Sequence, residues 1–288
     1  MSFRDLMREA FRALEANRGR SLLTVLGIVI GISAVIAMTS LIGGAQQALL
    51  SGLGLNAARM IQVNASSLIR GSDIDKVEKL VRSLELIEGT ADGGADIKVD
   101  GRDVHVSITG ASSQLLEKTG RIHLGEGRLF NAEEEASGGR VALIERGGIK
   151  TYFGDPNADV IGKQIKLGNN SYTIIGIADS PARSAGDDTY MTLYMPRKTV
   201  ERNFSWLPED SYWQVTVLVN EGYDVDVASA EIKAALAKAK GISEDEIEDN
   251  IWTFSMKAQI DQLNSFTMTF QLITGSVAGI SLLVGGIG

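Results

Sequence analysis

Between Arg20 and Arg59 the chain carries no ionisable side chain, and this run, Ser21 to Ala58, constrains everything around it. Its first part, Leu22 to Ile42, is almost wholly apolar. As a helix rising about 1.5 Å per residue it is roughly 31 Å long, the thickness of a bilayer's hydrocarbon core. Backbone N–H and C=O groups find no water in lipid, so such a span has to be helical. Its hydroxyls (Thr24, Ser33, Thr39 and Ser40) can bond to carbonyls one turn earlier. A buried helix of a soluble protein is the competing reading, and the absence of any solvated face argues against it.

The overall charge of -8 hides unlike parts. In residues 1–20 five arginines stand against Asp5, Glu9 and Glu15, leaving +2. Nothing after Asp261 is charged, so the middle holds 23 Lys and Arg against 33 Asp and Glu, a balance of -10. Positive charge on the N-terminal side of the span places the N-terminus in the cytoplasm and sends the acidic middle across the membrane. Phe3, Leu6, Met7, Ala10, Phe11 and Leu14 recur at helical spacing, so residues 1–19 read as an amphipathic helix. It would lie in the cytoplasmic interface, with Arg4, Arg8, Arg12, Arg18 and Arg20 anchored at lipid headgroups. The same stripe would also suit packing on a protein at the membrane. A cleaved secretory signal is the rival for the first forty residues, but the lead and the apolar core are both longer than such signals have. There is no cysteine, so an exported region of about 200 residues has to hold itself together by its core.

Residues 20–43 are thus the first transmembrane helix, with Gly27 and Gly31 a GxxxG pair suited to close helix packing. Residues 44–59 gain Gln46, Gln47 and Ser51 and read as a stalk. An extracytoplasmic α/β subdomain follows over 60–120 and 205–258. It has a strand at Met60–Asn64, a helix from Ser72 to Leu84 opened by a Ser72/Asp75 capping box, and a hairpin from Ala95 to Thr109 turning at Asp100-Gly101. Trp213–Val219 and Ile251–Met256 read as its later strands and Val225–Ala237 as its later helix. Residues 121–204 read as an inserted β-rich subdomain, with strands at Arg140–Ile144, Lys163–Leu167, Tyr172–Ile177 and Tyr190–Met195. Asn169-Asn170 is the expected turn between the middle two. From Gln262 the chain is again uncharged, and 262–288 reads as a second transmembrane helix containing Gly275, Gly279, Gly285 and Gly286. The sequence stops inside that span, so a longer chain is expected. The fold class is an α+β membrane protein.

Few residues offer chemistry. The one Gly-Lys pair, Gly162-Lys163, is followed by Gln164 and lacks the earlier glycine of a phosphate loop, so nucleotide has to bind a partner. His105 and His123 have no cysteine partners for a metal, and no nucleophile-elbow pattern is present. Asp96, Asp100 and Asp103 fit a hairpin tip better than a calcium loop. Glu133–Glu135 and Glu244–Asp249 read as solvated surface, and a domain of net -10 is unsuited to nucleic acid. Trp206, Trp213 and Trp252 could line a cleft, although the last two lie in strands and are expected in the core.

The run from Arg20 to Ile32, RSLLTVLGIVIGI, resembles the RSxLTxLGIxIGI first span of MacB-like permeases of the ABC superfamily, the macrolide exporter-type or FtsX-like group. Ser281 to Gly288, SLLVGGIG, resembles the start of that family's SLLVGGIGIMNIM segment. Between them Leu124–Phe130 is similar to its LxxGRxF, Ile161–Lys163 to its GKxI, Tyr172–Ile177 to its FxVIGV, and Met195-Pro196 to its strand-ending VP. The resemblance implies a non-catalytic permease subunit of an efflux or export system, dimeric with a copy of itself or a related permease. ATP and Mg would be bound by an ABC ATPase partner, an extracytoplasmic adaptor is a further partner, and coupling would run by mechanotransmission. The family's third and fourth spans and its ERTxEIG-type coupling segment lie outside this sequence. A two-span membrane sensor with an extracytoplasmic ligand-binding domain is the alternative.

Overall fold

A computed structural model describes residues 18–53, 56–120, 122–179 and 189–287. The chain divides into two compact units, Met1–Leu49 with Asp261–Gly288, and Leu50–Ile260. The long helices α1 (Arg18–Leu53) and α9 (Met256–Ile287) make up the described part of the first and run into the second. The expected interfacial helix, with Arg4, Arg8 and Arg12, lies outside the described residues. Arg18 and Arg20 fall in the first turn of α1.

The second unit holds two sheets. The smaller has the order β11 (Ile251–Ser255), β1 (Met60–Arg70), β10 (Ser211–Val219), β2 (Leu84–Gly89), all antiparallel. Alternation turns Ile61, Val63 and Ala65 of β1 and Val215, Val217 and Val219 of β10 to one face. Helices α2 (Gly71–Leu80) and α7 (Val225–Lys240) cover that face with Ile74, Val77, Ile232 and Leu236. α2 begins earlier than expected, because the Asp73 carboxylate accepts the Arg70 N–H at 3.2 Å and sets the cap two residues before Ser72. It also stops at Leu80, since Leu84 is taken up by β2 opposite Val219.

The larger sheet runs β3 (Ala91–Val99), β4 (Arg102–Ala111), β9 (Tyr190–Pro196), β6 (Val141–Glu145), β8 (Asn170–Asp179), β5 (His123–Gly127), with β7 (Gln164–Leu167) also on β8. β3 and β4 form the expected hairpin: Asp100 (φ 49°) and Gly101 (φ 82°) are both left-handed, the two-residue turn whose twist matches the strands. The hairpin pairs with β9, in parallel from His105 to Ala111, so it belongs to the larger sheet and not with β1 and β2. Sequence proximity had grouped it with the 60–120 segment, whereas a register of seven residue pairs with β9 decides its place. The turn between β7 and β8 is Gly168-Asn169, one residue before the expected Asn169-Asn170, because Leu167 pairs with Asn170 and Gly168 supplies the positive φ.

Helices α5 (Arg146–Phe153) and α6 (Arg197–Asn203) pack on one face of this sheet, with Ile149 and Val200 in its core. Its other face meets the smaller sheet through a third cluster. There Met60, Leu86 and Leu218 pack with Leu115 and Leu116 of α3 (Ser113–Thr119), Phe130, Leu143 and Ile175. Between Phe130 and β6 lies α4 (Ala132–Ser137), and a short α8 (Ile247–Asn250) precedes β11.

Candidate functional site

Three places could carry function. The first is the pair of long helices. Val25–Gly44 of α1 is long and apolar enough to cross a membrane, with a mean hydropathy of 2.5. Its side chains point outward, Leu41 being 73% exposed. A hydroxyl of this helix is bonded within it: Thr39 donates to the Val35 carbonyl at 2.9 Å. In α9, Thr267, Thr269, Thr274 and Ser276 each donate to the carbonyl four residues earlier. A Cβ built on Gly27 or Gly279 would meet nothing within 4 Å. Gly31 lies one turn beyond Gly27 in α1, and Gly285 and Gly286 fall in the last turn of α9.

The second place is the foot of the domain, where the chain enters β1. Arg59 donates to Glu85 Oε2 at 2.7 Å, to the Val219 carbonyl at 2.8 Å and to Asn56 Oδ1 at 2.9 Å. Glu85 also faces Lys118 Nζ at 3.2 Å. One guanidinium thereby ties the start of β1 to the end of β10 and to β2, and Glu85 extends the tie to α3. The Arg59 hydrogen bond holds the Glu85 carboxyl below its ordinary range, with Lys118 adding to the effect.

The third is a cleft of about 450 Å³ between the two sheets. Ile74, Asp75 and Glu78 of α2 and Glu88 of β2 line one side, and Ser112, Glu135 and Arg197 the other. Burial pushes the Glu88 carboxyl up, and the nearby Glu135 and Glu78 add to this. At its end Tyr212 bonds Glu201 at 3.0 Å and Asp210 at 3.1 Å, under the Arg197 guanidinium 5.5 Å from its ring centre. Sequence reading missed this polar junction, because Tyr212, Glu201 and Glu88 are brought together only by the way the two sheets pack.

Residues weighed for chemistry have structural employment. Gly162 donates its N–H to the Ile174 carbonyl, and Lys163 donates its own to Val160 and accepts from Ile174, so these amides extend the β7–β8 ladder at its open end and cannot cradle a phosphate. His105 bonds Asp96 at 2.8 Å across the hairpin and stacks on Tyr190, and no group of three metal-ligating side chains occurs among the described residues. In the acidic run 133–135, Glu134 chelates Arg128 and closes a capping box with Asn131, and Glu135 accepts the Ser113 N–H. Trp213 and Trp252, expected in the core, are 45% and 43% exposed: the inward positions of β11 and β10 go to Ile251 and Val215. Trp206 is 77% exposed.

The model of the MacB-like periplasmic core domain matches residues 21–235, three quarters of the chain. The chain belongs to the MacB-like periplasmic core domain family. This MacB-like chain is 26% identical over 301 residues to the macrolide export ATP-binding/permease protein MacB of Bartonella henselae, covering 100% of this chain and 44% of that protein. It is 27% identical over 300 residues to the protein of the same name from Escherichia coli, again with 44% of that protein covered. The chain thus spans under half the length of these curated relatives. Among solved structures, the periplasmic region of MacB from Actinobacillus actinomycetemcomitans superimposes with a TM-score of 0.57 at 15% identity, over 74% of this chain and 94% of that one. The extracellular domain of the noncanonic ABC-type transporter YknZ from Gram-positive bacteria gives 0.53 at 16% identity, over 68% and 99%. Both likenesses show the fold: an α+β domain of the MacB periplasmic type.

The family motifs take on physical meaning here. Gly127, in LGEGRLF, has φ 83° and lies against the backbone of Ile175 and Gly176, where a Cβ would come within 2.3 Å of the Ile175 carbonyl oxygen. Arg128 N–H donates to that same carbonyl at 3.0 Å. LxxGRxF and FxVIGV are therefore two sides of one β5–β8 contact, a structural motif and not a ligand site.

Proposed function

We propose that this chain is the N-terminal portion of a non-catalytic permease subunit of an ABC-type export system. In this reading α1 and the C-terminal part of α9 are membrane spans, the N-terminus is cytoplasmic, and the unit from Leu50 to Ile260 is extracytoplasmic. ATP and Mg are bound by an ABC ATPase, a partner or another part of a longer chain. The observation that carries the reading is the family match over 21–235, in a chain whose α+β domain lies between two long, largely apolar helices.

Hydrolysis in the cytoplasm would move α1 and α9 and so the domain between them, a mechanotransmission scheme in which the exported unit acts on substrate outside the membrane. The Arg59–Glu85–Lys118 tie suits that scheme, because it joins the point of chain entry to three strands of the smaller sheet and to α3. Dimerisation would use small residues on the spans, Gly27, Gly31, Gly279, Gly285 and Gly286, and the N-terminal arginines would hold lipid headgroups. An extracytoplasmic adaptor is a further proposed partner.

The test is affinity purification of the native protein from detergent-solubilised membranes, followed by identification of what accompanies it and an ATPase assay on the complex. Recovery of a nucleotide-binding ABC ATPase whose hydrolysis responds to the permease is the expected result. Recovery of a kinase or signalling adaptor without an ATPase would overturn the reading.

A further inference from the structure

Helices α2 and α7 cover one face of the smaller sheet, and the third cluster covers the other only at its lower end, around Met60, Leu86 and Leu218. Above that level Thr216 is still buried, but among the described residues the face is open along β11 and around Trp213. Register fixes what stands on it. Phe254 pairs with Gln62 and Gln62 with Thr216; in the next row outward Trp252 pairs with Asn64 and Asn64 with Gln214. Tyr212 and Val215 both belong to the helix-covered core, so the two residues between them, Trp213 and Gln214, are turned outward at the irregularity where β1 and β10 shift register. Trp206 stacks beside Trp213, their ring centres 6.5 Å apart.

The result is a row of large rings, Phe254 and Trp252 on β11 and Trp213 with Trp206 two strands away, about 10 Å across the sheet. Phe254 is 53% exposed, comparable to Trp213 and Trp252. Between the rings lie the half-buried amides of Gln62, Asn64 and Gln214, which have no hydrogen-bonding partner among the described residues. Strands β1, β10 and β11 contain a single charged residue, Arg70 at the far end of β1. On the fourth strand Glu88 of β2 pairs with Thr216 and lines the cleft, so charge is absent from the aromatic end of this face and not from all of it.

We propose that this face binds a neutral oligosaccharide. Indole and phenyl faces stack on the C–H faces of sugar rings, and aromatic groups supply large rigid contact area at small entropic cost. The free amides decide between this and a greasy protein partner. Covering an Asn or Gln amide with an apolar surface leaves its donors and acceptor unpaired, which is unfavourable at each of them. A glycan brings hydroxyl and acetamido groups that donate and accept at each amide. The absence of charge on the strands that carry the rings fits a neutral chain, with the Glu88 carboxylate set apart on the β2 side in the cleft. The proposal stands on this face alone and does not depend on the export reading.

The test is titration of the detergent-solubilised chain with the hexamer of N-acetylglucosamine, with the hexamer of glucose alongside, read by calorimetry and tryptophan fluorescence. Saturable binding to at least one hexamer is expected. It should weaken at least tenfold in Trp213→Ala and in Trp252→Ala, and severalfold in the double variant Gln62→Ala, Asn64→Ala. Thermal unfolding of all three should match the parent, because these side chains contribute to the surface and not to the core. Absence of saturation with both hexamers would overturn the proposal, as would binding that the three variants leave unchanged.

Discussion

Gly101 and Gly127 share a left-handed backbone, with φ of 82° and 83°, yet their surroundings differ. A Cβ at Gly101 would meet nothing within 4 Å, so Gly101→Ala should cost only the conformational penalty of about 1–2 kcal/mol. At Gly127 the same methyl adds a backbone collision with Ile175, and overpacking of that kind brings a further cost of about 1–3 kcal/mol. Denaturant unfolding of the two variants should rank them in that order. Glu85 makes a second residue-scale case. Glu85→Gln weakens its charge-assisted bonds to Arg59 and Lys118 and should cost roughly 1–3 kcal/mol at neutral pH. Its carboxyl is held below the ordinary value of 4.5 in the folded state, so the stabilisation is complete above that value and disappears as pH falls through the lowered one. Unfolding followed from pH 7 down to pH 3 should therefore show parent and variant converging at the acid end.

At the scale of elements, α4 contributes no buried residue, so its caps have to hold it. Asn131 accepts the Glu134 N–H at 2.8 Å and Glu134 accepts that of Asn131 at 2.9 Å. Asn131→Ala removes half of this box, worth about 1 kcal/mol, and should speed amide exchange over Ala132–Ser137 about fivefold while β6 and β8 keep their protection. For α1 and α9 the open surroundings of Gly27 and Gly279 give a clean test of the proposed packing surface. Among the described residues nothing stands within 4 Å of a Cβ at either position, so Gly27→Ile and Gly279→Ile extend into open surroundings. Loss of a dimer band in native electrophoresis would then report contact with another molecule, and an unchanged band would remove these glycines from the interface.

For the whole molecule, the proposed topology predicts that a single cysteine introduced at Glu244, in a chain with none of its own, reacts in intact cells with a maleimide that cannot cross membranes. Protection of that cysteine until the cells are broken would place the domain inside. Much of this architecture is legible in the sequence because its signals are local. Twenty apolar residues in a row, alternation through Val104, Val106 and Ile108, an Asp-Gly turn, and the family motifs at both ends each depend on neighbours in the chain. Charge balance and the lack of a phosphate-loop pattern are equally local signals. What could not be read is pairing at a distance. Whether the 91–111 hairpin lies beside β2 or β9 is settled by burial of its inward residues against β6, β8 and α6, a competition between surfaces far apart in sequence. The same holds for Trp213 and Trp252. Their strands alternate as the sequence suggests, but which face is covered depends on where α2 and α7 dock, and these helices take the side of Val215 and Ile251. The sequence alone thus determined an α+β chain of MacB-like type with a long uncharged helix toward each end, since periodicity, charge and motif act within a few residues. Tertiary structure alone decided sheet membership, the Arg59 and Tyr212 junctions and the open aromatic face, since each is made by side chains that only the packing of separate elements brings together.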